Sequence, residues 1–483
     1  MSRRLSASRQ LRIALLIASA LLMVIAGEVL LSSSMYKNRS FDGKELGTMP
    51  DPGPDDRIVV FAPHPDDEVI GAGAYIQRAI KNGAEVKVVL MTNGEYPELS
   101  LLLAEKTITG SKDDYIKLGY TRQSESLDAL ELLGLDPENV IFLGYPDHML
   151  NRLWTADHWN LEDALKASRT GSYESPYDNS FTEHAVHCGR SVLDDVRKVL
   201  EAEEPTVVVV VNPYDIHVDH WATYAFAISA LAELKARDIP VLPMDAINTY
   251  LVHWPEWPVP RGYRPSDSQV PPRSFARLDQ YEWHAFPAGI LEVLLKRQAL
   301  RSYRSQLSSW NPFLSSFVRA NEAFAPASKL NWYIGPGTLA MDLPDEAKGD
   351  TVACLRNPGS DITDVVMQYE DGMLTMEIQT AGSITSASTF GVTICEVGRG
   401  SGGIEITGLS LSLTGIAGSR TEDGIVSALP KEKLAFATEA GSYFASFPFE
   451  PKADQGFMVV RVWSYMGTRT IDQTNVSLIE YYR

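Results

Sequence analysis

The chain has 483 residues, enough for two or three domains. Hydrophobic residues make up 45% and charged residues 22%, a globular balance that excludes bulk disorder, collagen and a multispan membrane protein. Lys and Arg number 43 against 62 Asp and Glu, a net charge of −19, which argues against a nucleic-acid partner. Three cysteines, Cys188, Cys354 and Cys395, rule out a disulfide-stapled scaffold. They leave one conceivable bridge, Cys354–Cys395, within the C-terminal part.

Arg3, Arg4, Arg9 and Arg12 precede an apolar run from Ile13 to Gly27 that resumes after Glu28 through Leu31. Its length is close to the ~20 residues that span a bilayer. Two readings stand: a signal-anchor helix, or a signal peptide cleaved near Ala26 and Gly27. Either would place the rest of the chain outside the cytoplasm, membrane-anchored or secreted. Residues 32–56, with Asp51-Pro-Gly-Pro-Asp-Asp, read as a tether without packing signal.

From Arg57 the pattern alternates. Ile58–Ala62 reads as a buried strand, Glu68–Asn82 as a helix stopped by Gly83, and Val86–Met91 as a strand. Arg122–Leu133 reads as a helix, Val140–Leu143 as a strand, His187–Glu201 as a helix and Thr206–Val211 as a strand. Trp221–Leu234 and Ala246–Val252 complete the series as helix and strand. This predicts an α/β domain over 57–339: a Rossmann-like, mainly parallel sheet with helices on both faces. Beyond about residue 340, short alternating strands with Gly/Ser turns predict a C-terminal all-β, sandwich-like domain over 340–483. Glu370-Asp371-Gly372 marks a hairpin turn there.

Two segments carry the chemistry. Phe61-Ala-Pro-His64-Pro-Asp66-Asp67-Glu68 leaves the first strand and enters a helix. Acids at a helix start have a structural use, because they complement its dipole, but that use does not account for His64. Asn212-Pro-Tyr-Asp215-Ile-His217-Val-Asp219-His220 also follows a β-branched run and precedes a helix. In a parallel sheet both leave the same edge. His64, Asp67 and either His217 or His220 then suffice for a metal site with three protein ligands and an open position, the catalytic zinc pattern.

His-Pro-Asp-Asp-Glu after a strand, followed far downstream by His-x-Asp-His, resembles the PIG-L/LmbE family of metal-dependent de-N-acetylases. Thr92-Asn-Gly94-Glu95, Arg122-x-x-Glu125, Gly144-Tyr-Pro-Asp147 and the segment around Lys296–Gln306 and Asn321-Glu322 extend the likeness over about residues 57–325. The resemblance implies that His64, Asp67 and His220 bind Zn2+, with Fe2+, Co2+ or Ni2+ able to replace it. It implies Asp66 as general base and His217 as the oxyanion-stabilising residue, and it likens Arg122 and Asp147 to positions that hold sugar hydroxyls. A positively charged His217 suits that task, and Asp219 is expected to brace one histidine by a hydrogen bond from behind.

The implied activity is removal of N-acetyl groups from N-acetylglucosamine-type sugars. The extracytoplasmic route favours a polysaccharide or glycoconjugate substrate, with a lipid-linked sugar or small amide as the alternative. A non-catalytic glycan-binding protein is a further reading, disfavoured by the intact motifs. Aromatic and histidine residues across 148–184 (His148, Trp154, His158, Trp159, Tyr173, Tyr177, His184), and Trp254 with Trp257, suit either a substrate wall or ordinary packing.

Overall fold

The structure is a computed structural model that describes residues 46–483 apart from 97–109, 256, 273–274, 276–281, 308–311, 335–339, 344–351, 386, 401–402, 415–416, 423–424, 429–433, 438–440, 467–468 and 475. The apolar run Ile13–Leu31 lies outside these residues. Among the described residues no helix is long and apolar enough to cross a membrane.

Five parallel strands form one side of the first sheet: β2 (Arg57–Ala62), β3 (Glu85–Thr92), β4 (Val140–Tyr145), β5 (Val207–Val211) and β6 (Ile247–Tyr250). Their order is β6-β5-β2-β3-β4. Val208–Val211 and Val59–Ala62 are at most 1% exposed, so β-branched side chains fill both faces of the pleat, as a helix-covered sheet demands. An antiparallel flank of β8 (Asn321–Pro326) and β7 (His284–Pro287) extends the sheet beyond β6.

Right-handed crossovers decide where the helices lie. β2, β3 and β4 are laid down outward in one direction, so α1 (Asp67–Lys81) and α2 (Lys112–Leu132) cover one face. The chain returns through α3 (Gly189–Glu203) to β5 and builds the other way through α4 (Val218–Ala236), which covers the opposite face. A fifth helix, α5 (Ile290–Leu300), joins α1 and α2.

The C-terminal region is all-β. A five-stranded sheet includes β11 (Ile362–Glu370), β12 (Met373–Thr380) and β18 (Ser442–Pro448). An eight-stranded sheet is centred on β13 (Ser388–Gly400), β14 (Gly403–Thr414), β19 (Gln455–Met466) and β21 (Ser477–Tyr482). Apolar side chains from both, among them Met367, Leu374, Phe390, Leu411 and Val460, form one core between them. The β11–β12 hairpin turns at Asp371 and Gly372, both with positive φ, as the Asp-Gly pair predicts.

Four expectations change. The tether packs at its end: Gly47–Thr48 (β1) pairs with β7, and Met49 is 5% exposed in the core. The helix expected to start at Arg122 starts at Lys112, because Ser111 and Asp114 form a reciprocal capping box. Lys329–Tyr333 (β9), inside the segment assigned to the first domain, pairs in parallel with β21 of the second sheet. No disulfide joins Cys354 to Cys395; all three thiols are buried. Cys395 faces Ser229 of α4, whereas Cys354 donates to the Ile471 carbonyl at 3.3 Å, so the two point to different surroundings.

The two regions share a core. Cys395, Val397, Ile406, Phe457 and Val459 of the β region join the hydrophobic cluster of the first sheet and its helices. Arg461 lies over the Trp221 ring, 3.6 Å from its centroid, and Arg190 donates to the Ile406 carbonyl.

Candidate active site

The strand order reverses between β2 and β5, which are neighbours, and such a reversal opens a crevice at the carboxyl ends of the strands. Residues 63–68 leave β2 there and residues 212–220 leave β5. Each segment runs into a helix, α1 and α4, and His217 caps α4 by accepting the Asp219 N–H on Nδ1 at 3.3 Å.

Three ligand-type atoms meet at this point. His64 Nδ1 lies 3.0 Å from Asp67 Oδ2, His220 Nε2 lies 3.1 Å from the same oxygen, and the two nitrogens are 3.3 Å apart. A tetrahedral metal with bonds of about 2.0–2.1 Å has ligand–ligand edges of about 3.3 Å, so the triangle fits one face of such a site. The residues behind it fit as well. His220 Nδ1 is 3.1 Å from Asp215 Oδ2, and His64 Nε2 is 3.1 Å from both Asp219 Oδ2 and Asp147 Oδ1. Each imidazole thus turns one nitrogen to the triangle and the other to carboxylate, the arrangement that fixes tautomer and ring orientation in metal sites. Asp67, Asp147, Asp215 and Asp219 are all buried around two histidines. That density of negative charge calls for a cation.

Asp66 stands beside the triangle with a φ of 120°, a conformation costly for a non-glycine residue. Burial, with Asp67 and Glu68 close by, holds its carboxyl well above the usual range, and Arg122 Nη2 approaches at 3.4 Å. Burial and the surrounding imidazoles, His64 first, hold His217 well below its ordinary pKa. Because Nδ1 accepts a hydrogen bond, a ring proton sits on Nε2. Arg122 is 3% exposed and donates to the Gly94 carbonyl at 2.5 Å and the Pro65 carbonyl at 2.6 Å. These two donors brace the two loops. Asp147 faces His64 and accepts the Tyr96 N–H at 2.8 Å. Asp219 accepts the N–H groups of His148 and Leu150 besides facing His64, which identifies the histidine it braces.

Residues 59–231 match the model of the GlcNAc-PI de-N-acetylase family, PIG-L. They form a PIG-L family domain. A 1D-myo-inositol 2-acetamido-2-deoxy-alpha-D-glucopyranoside deacetylase from Mycobacterium sp. (strain KMS) is 29% identical over 36% of this chain and 50% of its own length. A protein of the same name from Streptomyces griseus is 31% identical over 41% of this chain and 54% of its own. The chain thus spans about half the length of these curated relatives. Among solved structures, N,N'-diacetylchitobiose deacetylase from Pyrococcus horikoshii aligns over 56% of this chain and 84% of its own, with 22% identity and a TM-score of 0.35.

Three residues of the PIG-L domain and its surroundings were given no role by the sequence. Asp215 lies inside the second motif, and it accepts the N–H groups of Val252 and His253 while facing His220. Glu68, the last residue of the first motif, accepts the Asp66 N–H at 2.9 Å. His253 packs against His220 at 4.8 Å between ring centroids and stacks on Phe313 at 5.2 Å. It carries no motif; its only signal is that it follows β6, the next parallel strand beside β5.

The aromatic segment divides. Trp154, Trp159 and Tyr177 are at most 2% exposed, and Trp159 packs on Gly408 of β14, so these are packing residues. Trp254 and Trp257 are buried too. His148 belongs to the site's edge, stacked on Tyr96 at 4.5 Å and 5.3 Å from His217.

Proposed function

We propose that this chain is a metal-dependent hydrolase that removes the N-acetyl group from an N-acetylglucosamine-type sugar. The observation that carries this reading is the His64–Asp67–His220 triangle with Asp66 at its side, on a PIG-L domain. His64, Asp67 and His220 would hold zinc, and this His₂Asp set also admits iron, cobalt or nickel. When bound, the metal supplies Lewis-acid polarisation of the acyl oxygen and acidifies the attacking water.

The chain's own groups do the rest. Asp66 takes the proton as the water oxygen bonds to the acetyl carbon. The His217 Nε2–H donates to the developing oxyanion. Asp66 returns its proton to the nitrogen as the C–N bond breaks, leaving acetate and a free amine. Asp147 and Asp219 orient His64, Asp215 orients His220, and Arg122 holds the loop that carries Asp66.

We extend the proposal to location: the basic flank and the run Ile13–Leu31 support export with membrane attachment, and hence a polysaccharide or glycoconjugate substrate. The test is amine and acetate release from N-acetylglucosamine, its inositol glycoside, N,N'-diacetylchitobiose and longer oligomers. The full chain is assayed zinc-loaded and chelated. Release is expected from at least one substrate, falling roughly 10²–10⁴-fold in Asp66→Asn with metal retained. Silence on every substrate despite bound metal defeats the deacetylase reading; failure of the chain to bind metal defeats the ligand set.

A further inference from the structure

Helix α5 buries Val293, Ala299 and Leu300 together with a lysine, and leaves four other aliphatic side chains outside. Lys296 is 2% exposed and pairs with the equally buried Glu322 at 2.6 Å. Ile290, Leu291, Leu294 and Leu295 are 81%, 74%, 48% and 37% exposed. Positions i, i+1, i+4 and i+5 of a helix share one face, so four large aliphatic side chains stand together in solvent. Single exposed leucines are ordinary; a protruding cluster marks a contact surface.

Its surroundings say what kind of surface. Arg297, Arg301 and Arg304 are exposed at the C-terminal end of α5 and just beyond it. Arg297 lies over the ring of Tyr263, itself 38% exposed, 4.0 Å from the centroid. Aliphatic side chains, a tyrosine and arginines with long apolar stems together suit the boundary between lipid tails and anionic headgroups.

The N-terminal segment arrives at the same place. Gly47–Thr48 pairs with His284–Ala285 of β7, and α5 begins at Ile290. Arg78 joins the two segments, at 2.6 Å from Asp51 on one side and 2.6 Å from Glu292 of α5 on the other. The chain that carries the apolar run Ile13–Leu31 therefore enters the fold beside the exposed face. The β region packs on α4, across the sheet from α5.

We propose that the Ile290–Leu291–Leu294–Leu295 face of α5 docks on an anionic lipid bilayer and orients the enzyme on it. The same side reaches the active site: Arg261, two residues before Tyr263, lies over Phe313, on which His253 stacks. Docking thus sets the site's rim near the lipid surface. The inference leans on the membrane reading of residues 1–31 but not on the reaction.

The test uses the full chain with Leu291→Cys carrying an environment-sensitive fluorophore, and Leu161→Cys as control. Leu161 is 58% exposed and lies near Trp159, which packs on the β region. The three native cysteines are buried. With vesicles of phosphatidylcholine and phosphatidylglycerol, emission at position 291 is expected to shift to the blue and to be quenched by brominated lipid, with position 161 unchanged. A pelleted chain whose position 291 stays water-like refutes the docking face while leaving the anchor intact. A chain that remains in the supernatant refutes both. A blue shift before vesicles are added means that residues 13–31 or a second copy cover the face, and this too overturns the proposal.

Discussion

The Glu68 carboxylate accepts the backbone N–H of Asp66 at 2.9 Å, two residues back along the chain. It also accepts the hydroxyls of Ser126 and, at 2.6 Å, Tyr303. Asp66 occupies a φ of 120°, and such a conformation persists only where its surroundings over-determine it. Glu68 is therefore the positioning residue of the proposed base. Glu68→Gln keeps the volume but weakens these bonds. It is expected to lower kcat by about a hundredfold, the cost of a misplaced reacting group, with bound metal and KM little changed. Unchanged kcat in a folded, metal-loaded variant would refute the role.

Arg122 separates a structural role from a substrate contact. Its guanidinium satisfies the carbonyls of Gly94 and Pro65 in a buried setting. Gly94 has a φ of 67°, and a Cβ there would overlap that guanidinium. Arg122→Met is expected to cost about 3 kcal/mol of stability, because two buried acceptors lose their donor. Urea unfolding measures it. A variant of wild-type stability with raised KM would restore the sugar contact implied by the resemblance.

The β region is expected to be inseparable from the PIG-L domain. Ile406, Phe457 and Val459 complete the same core as α4, and Trp159 is covered by Gly408. A chain ending at residue 328 exposes that surface. We expect it to aggregate or to bind a hydrophobic dye strongly, and a cooperative, dye-silent unfolding transition would contradict this.

His187 sets a pH dependence away from the site. Burial lowers its pKa from 6.5 to about 4. Between those values the unfolded chain binds a proton that the folded chain refuses. Stability from this residue is full above about pH 6.5 and falls toward pH 4, by at most about 3 kcal/mol. His187→Leu should lose less stability between pH 7 and pH 4.5 than the natural chain, each compared with itself at pH 7. Parallel losses would rule His187 out as the cause.

Short-range pattern made much of this legible. Val207–Val211 could only be a strand buried on both sides, and helix stops at Gly83 and Gly134 held because a positive φ ends a helix cheaply at glycine. The helix start at Lys112 was missed although Ser111 and Asp114 spell its cap, since the helical apolar period is weak over that segment. Asp215 and Glu68 sat in plain view within the motifs, but residue type alone does not say which of several acids faces a ligand and which faces a neighbour.

The order of residues determined by itself which groups leave the strand ends: His64, Asp66 and Asp67 after one, His217, Asp219 and His220 after the other. These are local facts, set by strand length and turn chemistry. Only the tertiary structure decided that β2 and β5 lie side by side at the reversal of strand order and that His220 meets His64 and Asp67 in one triangle. Those outcomes depend on distances between residues some 150 positions apart. The same reason hid the exposed face of α5: which side of a leucine-rich helix is buried depends on what packs against it, and here Lys296, paired with Glu322, shares the inner side with Val293, Ala299 and Leu300.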